Sequence, residues 1–188
     1  DNDVKTALVL VDIQNDYFPG GKWELVGMDI AAFNAGRLLT AFRERKQPIF
    51  HVQHIAKNPD APFFVVDTYG AEIHDSVKPQ KNEKIIIKEF PNSFRQTTLL
   101  DDLRNAGVER LVICGAMSNM CIDATTRAAN DLGFDCIVAH DACAAKNLEF
   151  HGHITPALEV HCAFMSALGF AYAQVVSTHE AIAISAFT

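Results

Sequence analysis

The chain has 188 residues, of which 49% are hydrophobic, so one domain spanning 1–188 can build a full-sized core without metals or disulfides. Sixteen Lys and Arg against 23 Asp and Glu give a net charge of −7 with no basic run, which argues against a nucleic-acid partner. The opening DNDVKTALVLVD is neither a signal peptide nor a membrane span, and the five cysteines are odd in number and lie in apolar segments. That usage suits buried free thiols in a reducing cytoplasm, with no membrane partner.

In chain order, residues 7–14 (ALVLVDIQ) form a continuous apolar run that ends in polar residues, the pattern of a strand buried on both faces. Residues 28–47 carry apolar side chains at helical spacing and a basic last turn that suits the macrodipole. PIFHVQHI (48–55) predicts a second strand. The stretch 55–83 holds Pro59, Pro62 and Pro79 and reads as an irregular excursion, of the length that often serves as a lid or pocket wall. KIIIKE (84–89) is a third strand, followed by a helix in TLLDDLRNAG with Thr98 and Asp101 at capping-box spacing and Gly107 as its stop. RLVICGAM (110–117) is a fourth strand, and 118–133 is its helix, ended by Gly133. FDCIVAHDA (134–142) is a fifth strand. Thr155 and Pro156 open a helix to about residue 169, AYAQVVST (171–178) is a sixth strand, and HEAIAISAF is a terminal helix.

Strands alternating with helices imply right-handed crossovers and an α/β fold of three layers, α/β/α, around a mainly parallel sheet. Ligands in such sheets bind beyond the carboxyl ends of the strands, where strand order reverses. The polar residues at those ends are Asp12, Lys88 and the segment around Cys121. Cys121 lies in the first turn of a helix, where free N–H groups and the macrodipole favour a thiolate; a buried structural thiol is the plainer alternative, and it is the reading given to Cys114, Cys136 and Cys162. Asp12 is either a cap or a desolvated general base, and Lys88 is either a lysine snorkelling from a strand end or the partner of that carboxylate. Taken together they make a coherent set in which Lys88 holds the charge of Asp12, Asp12 takes the thiol proton, and sulfur attacks.

Three stretches then carry a resemblance: LVLVDIQNDYFPGG (8–21), IIIKEFPNSF (85–94) and VICGAMSNMCIDATTRAANDLGFDCIVAHDACAA (112–145). They are similar to the isochorismatase-like cysteine hydrolases, a family of nicotinamidases, N-carbamoylsarcosine amidases, streptothricin hydrolases and isochorismatases. The resemblance implies a six-stranded parallel sheet ordered 3-2-1-4-5-6, with Asp12, Lys88 and Cys121 as catalytic triad. It also implies a cis peptide between Ala116 and Met117, with the Met117 and Cys121 N–H groups as an oxyanion hole. It further implies a homo-oligomer, dimer or tetramer.

The chain departs from the family where nicotinamidases carry an Asp-x-His metal motif. FHVQHIAKNP has Gln53 and His54 there, and His51 and His54 point to opposite faces of a strand, so neither a metal nor any other cofactor is expected. Phe18, Trp23, Phe63, Phe64, Phe90 and Phe94 lie in loops after the first three strands and divide between core and an apolar pocket for a small planar molecule. His151 and His153 suit a pocket rim or a cap, and Asp141 suits ordering of its own loop. The expected activity is metal-independent cleavage of a C–N bond in a small amide, cyclic amide or carbamoyl compound through Cys121. The rival enzyme is a vinyl-ether hydrolase with Asp12 as acid, and the rival of another class is a small-molecule-binding or scaffold protein that has lost the chemistry.

Overall fold

The computed structural model describes residues 4–186. In chain order its first elements are β1 (Thr6–Val11), α1 (Met28–Glu44), β2 (Ile49–His54), β3 (Lys84–Lys88), α2 (Leu99–Asn105), β4 (Arg110–Ala116) and α3 (Cys121–Asp131). They are followed by β5 (Asp135–Ala144), β6 (Leu148–Phe150), β7 (His153–Thr155), α4 (Ala157–Ala171), β8 (Gln174–Val176) and α5 (Thr178–Ser185). Six strands form a parallel sheet ordered β3-β2-β1-β4-β5-β8, so the order reverses between β1 and β4. Every residue of β1 is buried, because helices cover both faces of the sheet. Leu8 and Leu10 pack with α1 and α5, while Ala7, Val9 and Val11 pack with α2, α3 and α4. The period of two along one strand thus feeds two cores.

Several local expectations change. The Thr98 side chain turns to the Asp102 carboxylate at 2.7 Å instead of capping α2, so the expected box with Asp101 does not form. A capping box forms instead at α5 between Ser177 and Glu180, and it shortens the sixth strand of the sheet to Gln174–Val176. Residue 187 of the expected terminal helix lies outside the described residues. Residues 148–155 form the antiparallel hairpin β6–β7, turned at His151 (φ 49°) and Gly152 (φ 78°). Two successive positive φ values make the tight turn that joins strands with native twist. Of the three isoleucines on β3 only Ile86 is buried, while Ile85 and Ile87 are 46% and 51% exposed because this strand closes one edge of the sheet.

The excursion 55–83 is irregular apart from two short 3-10 turns and is pinned at its far end by a half-buried ion pair. Glu83 accepts from Arg43 at 2.6 and 2.8 Å and meets His51 Nε2 at 2.9 Å, which ties the segment to α1 and β2. Burial would raise the Glu83 carboxyl, but the bonds from Arg43, the Gln80 N–H and His51 bring it down to about 2. Among the described residues no helix is long and apolar enough to cross a membrane.

Candidate active site

Parallel strands bring their carboxyl ends to one rim. Asp12 leaves β1 with φ 55°, a left-handed conformation that costs a non-glycine residue energy, and its N–H is fixed on Val52 O at 3.0 Å. Lys88 is the last residue of β3 and lies in register with His54, the last residue of β2. Its ammonium reaches across β2 to Asp12 Oδ2 at 2.9 Å, His54 Nδ1 at 2.8 Å and Cys121 Sγ at 3.3 Å. Asp12, Lys88 and Cys121 are 0%, 1% and 5% exposed, so the alternative of a snorkelling lysine is gone.

The loop after β4 aims the thiol. Gly115 has φ 123°, and a Cβ there would overlap Val11 O, so only glycine lets β4 run this close to β1. The Ala116–Met117 peptide is cis. Ser118 is fixed from N–H to Ala144 O at 2.9 Å, and its hydroxyl bonds Ala144 O and His161 Nδ1. Met117 O accepts from the N–H groups of Met120 and Ile122, a turn that delays the start of α3 to Cys121. The Met117 and Cys121 N–H groups take no part in these bonds. Cys121 is therefore the first residue of its helix rather than the fourth, as residues 118–133 had suggested.

Electrostatics corrects one expectation outright. The helix mouth should favour a thiolate, yet burial and the adjacent Asp12 charge push the Cys121 thiol well above the ordinary thiol range, and Lys88 offsets only part of this. Burial depresses the Lys88 ammonium, but Asp12 and Cys121 outweigh it and leave the lysine more firmly protonated than in water. The resting group is thus an ion pair beside a neutral thiol. One carboxylate oxygen, Asp12 Oδ1, is buried without a hydrogen-bond partner.

Two residues at this rim were missed. Tyr17 is 1% exposed, with its ring 4.6 Å from that of Phe64, and burial followed by the charge of Asp12 keeps its phenol protonated. His54 was weighed only as a metal ligand; burial and Lys88 lower its basicity and hold it neutral. The register of β2 against β3 was the signal available, since both residues close their strands.

The expected pocket aromatics scatter. Phe64 is buried with Tyr17, and Phe63 stacks on Trp23 at 4.8 Å, so these three extend the wall beside the triad. Phe18 is buried and stacks on His74 at 3.7 Å. Phe90 lies under Arg95, and Phe94 packs toward Phe134. His151 is exposed at the hairpin tip against Phe150, so the structure does not bring it to the triad. Cys162 is exposed on α4, against the expectation that every thiol but Cys121 is buried. Asp141 accepts from the N–H and hydroxyl of Thr178 and orders the start of α5.

The nicotinamidase-type metal does not fit this chain. Gln53 donates to Ala71 O at 2.8 Å and His51 turns away to Glu83, so neither is free for an ion. Asp12, His54 and Cys121 do offer ligand atoms within 4.8 Å of one another, but the Lys88 ammonium already bonds all three.

Comparison with known proteins agrees with this geometry. The model of the isochorismatase domain matches residues 6–167. YddQ, an uncharacterised isochorismatase family protein of Bacillus subtilis (strain 168), is 51% identical over 92% of this chain and 96% of its own. Streptothricin hydrolase of Streptomyces noursei is 34% identical over 76% of this chain and 55% of its own. A crystal structure of an isochorismatase-type protein from Oleispira antarctica superposes with a TM-score of 0.92 at 51% identity, covering 97% of this chain and 98% of the other. With sheet order, strand-end residues and whole-chain similarity in agreement, this chain belongs to the isochorismatase family of hydrolases.

Proposed function

We propose that the chain is a metal-independent cysteine hydrolase that cleaves the C–N bond of a small amide, cyclic amide or carbamoyl compound. The observation that carries this reading is the unequal use of the Asp12 carboxylate: Oδ2 is taken by Lys88, while Oδ1 is unpartnered within the cluster that includes the thiol. Sulfur attacks the carbonyl carbon as its proton passes to Asp12, which suits a thiol that burial keeps protonated at rest. The N–H groups of Met117 and Cys121 donate hydrogen bonds to the developing oxyanion. Asp12 returns the proton to the leaving nitrogen, the C–N bond breaks, and an acyl thioester remains. Water then gives a proton to Asp12 and its oxygen to the acyl carbon, releasing the acid and restoring the thiol. Lys88 stays charged throughout and steadies Asp12.

A screen of small amides, cyclic amides and carbamoyl compounds, read by ammonia or amine release, supplies the substrate. On it Cys121→Ala should lose on the order of 10⁴- to 10⁶-fold in kcat, with a comparable loss for Asp12→Asn. An active Cys121→Ala enzyme beside a dead Asp12→Asn would instead support vinyl-ether hydrolysis, with Asp12 as acid.

We also propose a second copy of the chain as partner, in a dimer or tetramer. α4 carries Glu159 as its one charged residue, yet Leu158 and Phe170 are 72% and 92% exposed. Ile30 and Phe33 of α1 are 68% and 69% exposed as well. A chain of net charge −7 meets itself most easily through such a charge-poor face. Sedimentation of a monomer at micromolar concentration would contradict this.

A further inference from the structure

Among the described residues, one imidazole nitrogen at the rim has no protein partner. His54 Nδ1 stands 2.8 Å from Lys88 Nζ, and an ammonium only donates, so Nδ1 supplies the lone pair and the ring proton of neutral His54 lies on Nε2. A doubly protonated ring would set a second cation against Lys88. His54 is half-buried, and Nε2 is not among the buried atoms that lack partners, so this donor opens toward the accessible side of the site. His51 differs: its Nε2 is committed to Glu83 and its Nδ1 is buried.

The surroundings select the kind of acceptor that can meet this N–H. The Lys88 charge is answered by Asp12, Cys121 rests as a thiol and His54 is neutral, so the cluster holds no unpaired charge. The adjoining wall is aromatic, with the Phe64 ring 6.0 Å from that of His54 and Tyr17 beyond it. A carboxylate brought here would lose its hydration without gaining a counter-ion, whereas a neutral carbonyl has far less hydration to lose and regains a hydrogen bond from Nε2–H.

We propose that His54 is a substrate-recognition residue whose Nε2–H binds a second, uncharged carbonyl, so that Cys121 acts on neutral amides with another carbonyl close to the scissile one, as in diamides, imides and ureides. This rests on the acyl-transfer reading for where the scissile carbonyl sits, but its test needs no turnover. Three ligands of like shape separate the terms: malonamide has the second carbonyl, 3-methylbutanamide replaces that amide with an isopropyl group, and malonamate makes it an anion. In Cys121→Ala protein, malonamide should bind about five- to tenfold more tightly than either of the others. That preference should fall to about one in Cys121→Ala/His54→Phe. It should survive in part in Cys121→Ala/His54→Gln, which keeps an acceptor for Lys88 and a donor for the ligand. Nitrogen-15 NMR of the Cys121→Ala protein gives a reading that needs no change at His54: Nε2 of His54 should be the protonated nitrogen at pH 7 and should shift when malonamide is added. No preference for malonamide, a preference for malonamate, a preference that outlives His54→Phe, or an unprotonated or unmoved Nε2 overturns the proposal. Capture of a Cys121 thioester from a substrate without a second carbonyl, at undiminished rate, would overturn it and leave acyl transfer standing. Absence of any thioester alongside an intact malonamide preference would do the reverse.

Discussion

Replacing Lys88 with methionine tests how the site is held together. The side chain keeps its length and fills the same space, so the change removes charge and hydrogen bonds with little change in volume. Both side chains of the Lys88–Asp12 pair are 0% exposed and lie 2.9 Å apart, so the variant leaves a carboxylate in the core with no counter-ion. Breaking a buried pair from one side costs about 3–5 kcal/mol, chiefly through the charge left behind. For a chain of this size that is a fall of roughly 10 °C in melting temperature. The pH dependence gives the sharper reading. The unpaired carboxyl must take up a proton when it is buried, and a fold that binds a proton on forming loses stability as pH rises. The deficit of Lys88→Met should therefore be largest at pH 7 and shrink as pH approaches 4. Lys88→Met/Asp12→Asn should recover most of it, since no charge is stranded. Thermal melts at several pH values measure this directly. A variant as stable as the parent at pH 7, or a deficit that does not change with pH, would refute the account of the pair.

Gly115→Ala should fail to give folded protein, or should cost more than about 4 kcal/mol in urea titrations, because the new Cβ overlaps Val11 O; a loss under about 1 kcal/mol would contradict the close β1–β4 approach. Glu83, brought down to about 2 from 4.5, contributes stability that is present above pH 4.5 and lost as pH falls toward 2. Glu83→Gln should then cost on the order of 2 kcal/mol at pH 7 and much less at pH 3, and equal losses at both would remove the ion pair from the account. Because burial and Asp12 raise the Cys121 thiol, iodoacetamide at pH 7 should mark the exposed Cys162 first, and the Cys121 rate should still be climbing above pH 9. A Cys121 rate already level below pH 7 would show a preformed thiolate.

The layout of the fold was legible because strands covered on both faces leave unbroken apolar runs, as in ALVLV and LVIC. The meeting of Asp12, Lys88 and Cys121 was legible because each closes a strand or opens a helix, and strand ends share a rim in any parallel sheet. The protonation of Cys121 was not legible, since the helix mouth is visible in sequence while the depth of burial and the Asp12 contact are tertiary. The same limit hid Tyr17 and His54, whose roles depend on Lys88 reaching across β2 and on Phe64 arriving from the excursion. His151–Gly152 did carry a readable hairpin signal, but the flanking strands are three residues each, too short for a period of two to stand out.

The proposed acyl transfer passes through a covalent intermediate on Cys121. Mass spectrometry of protein quenched in acid within the first turnovers of an amide found by the screen measures it. A mass increase equal to the acyl part of the substrate is expected, mapped to the peptide containing Cys121 and absent from Cys121→Ala. Turnover at full rate with unmodified Cys121, or an adduct on another residue, would contradict it.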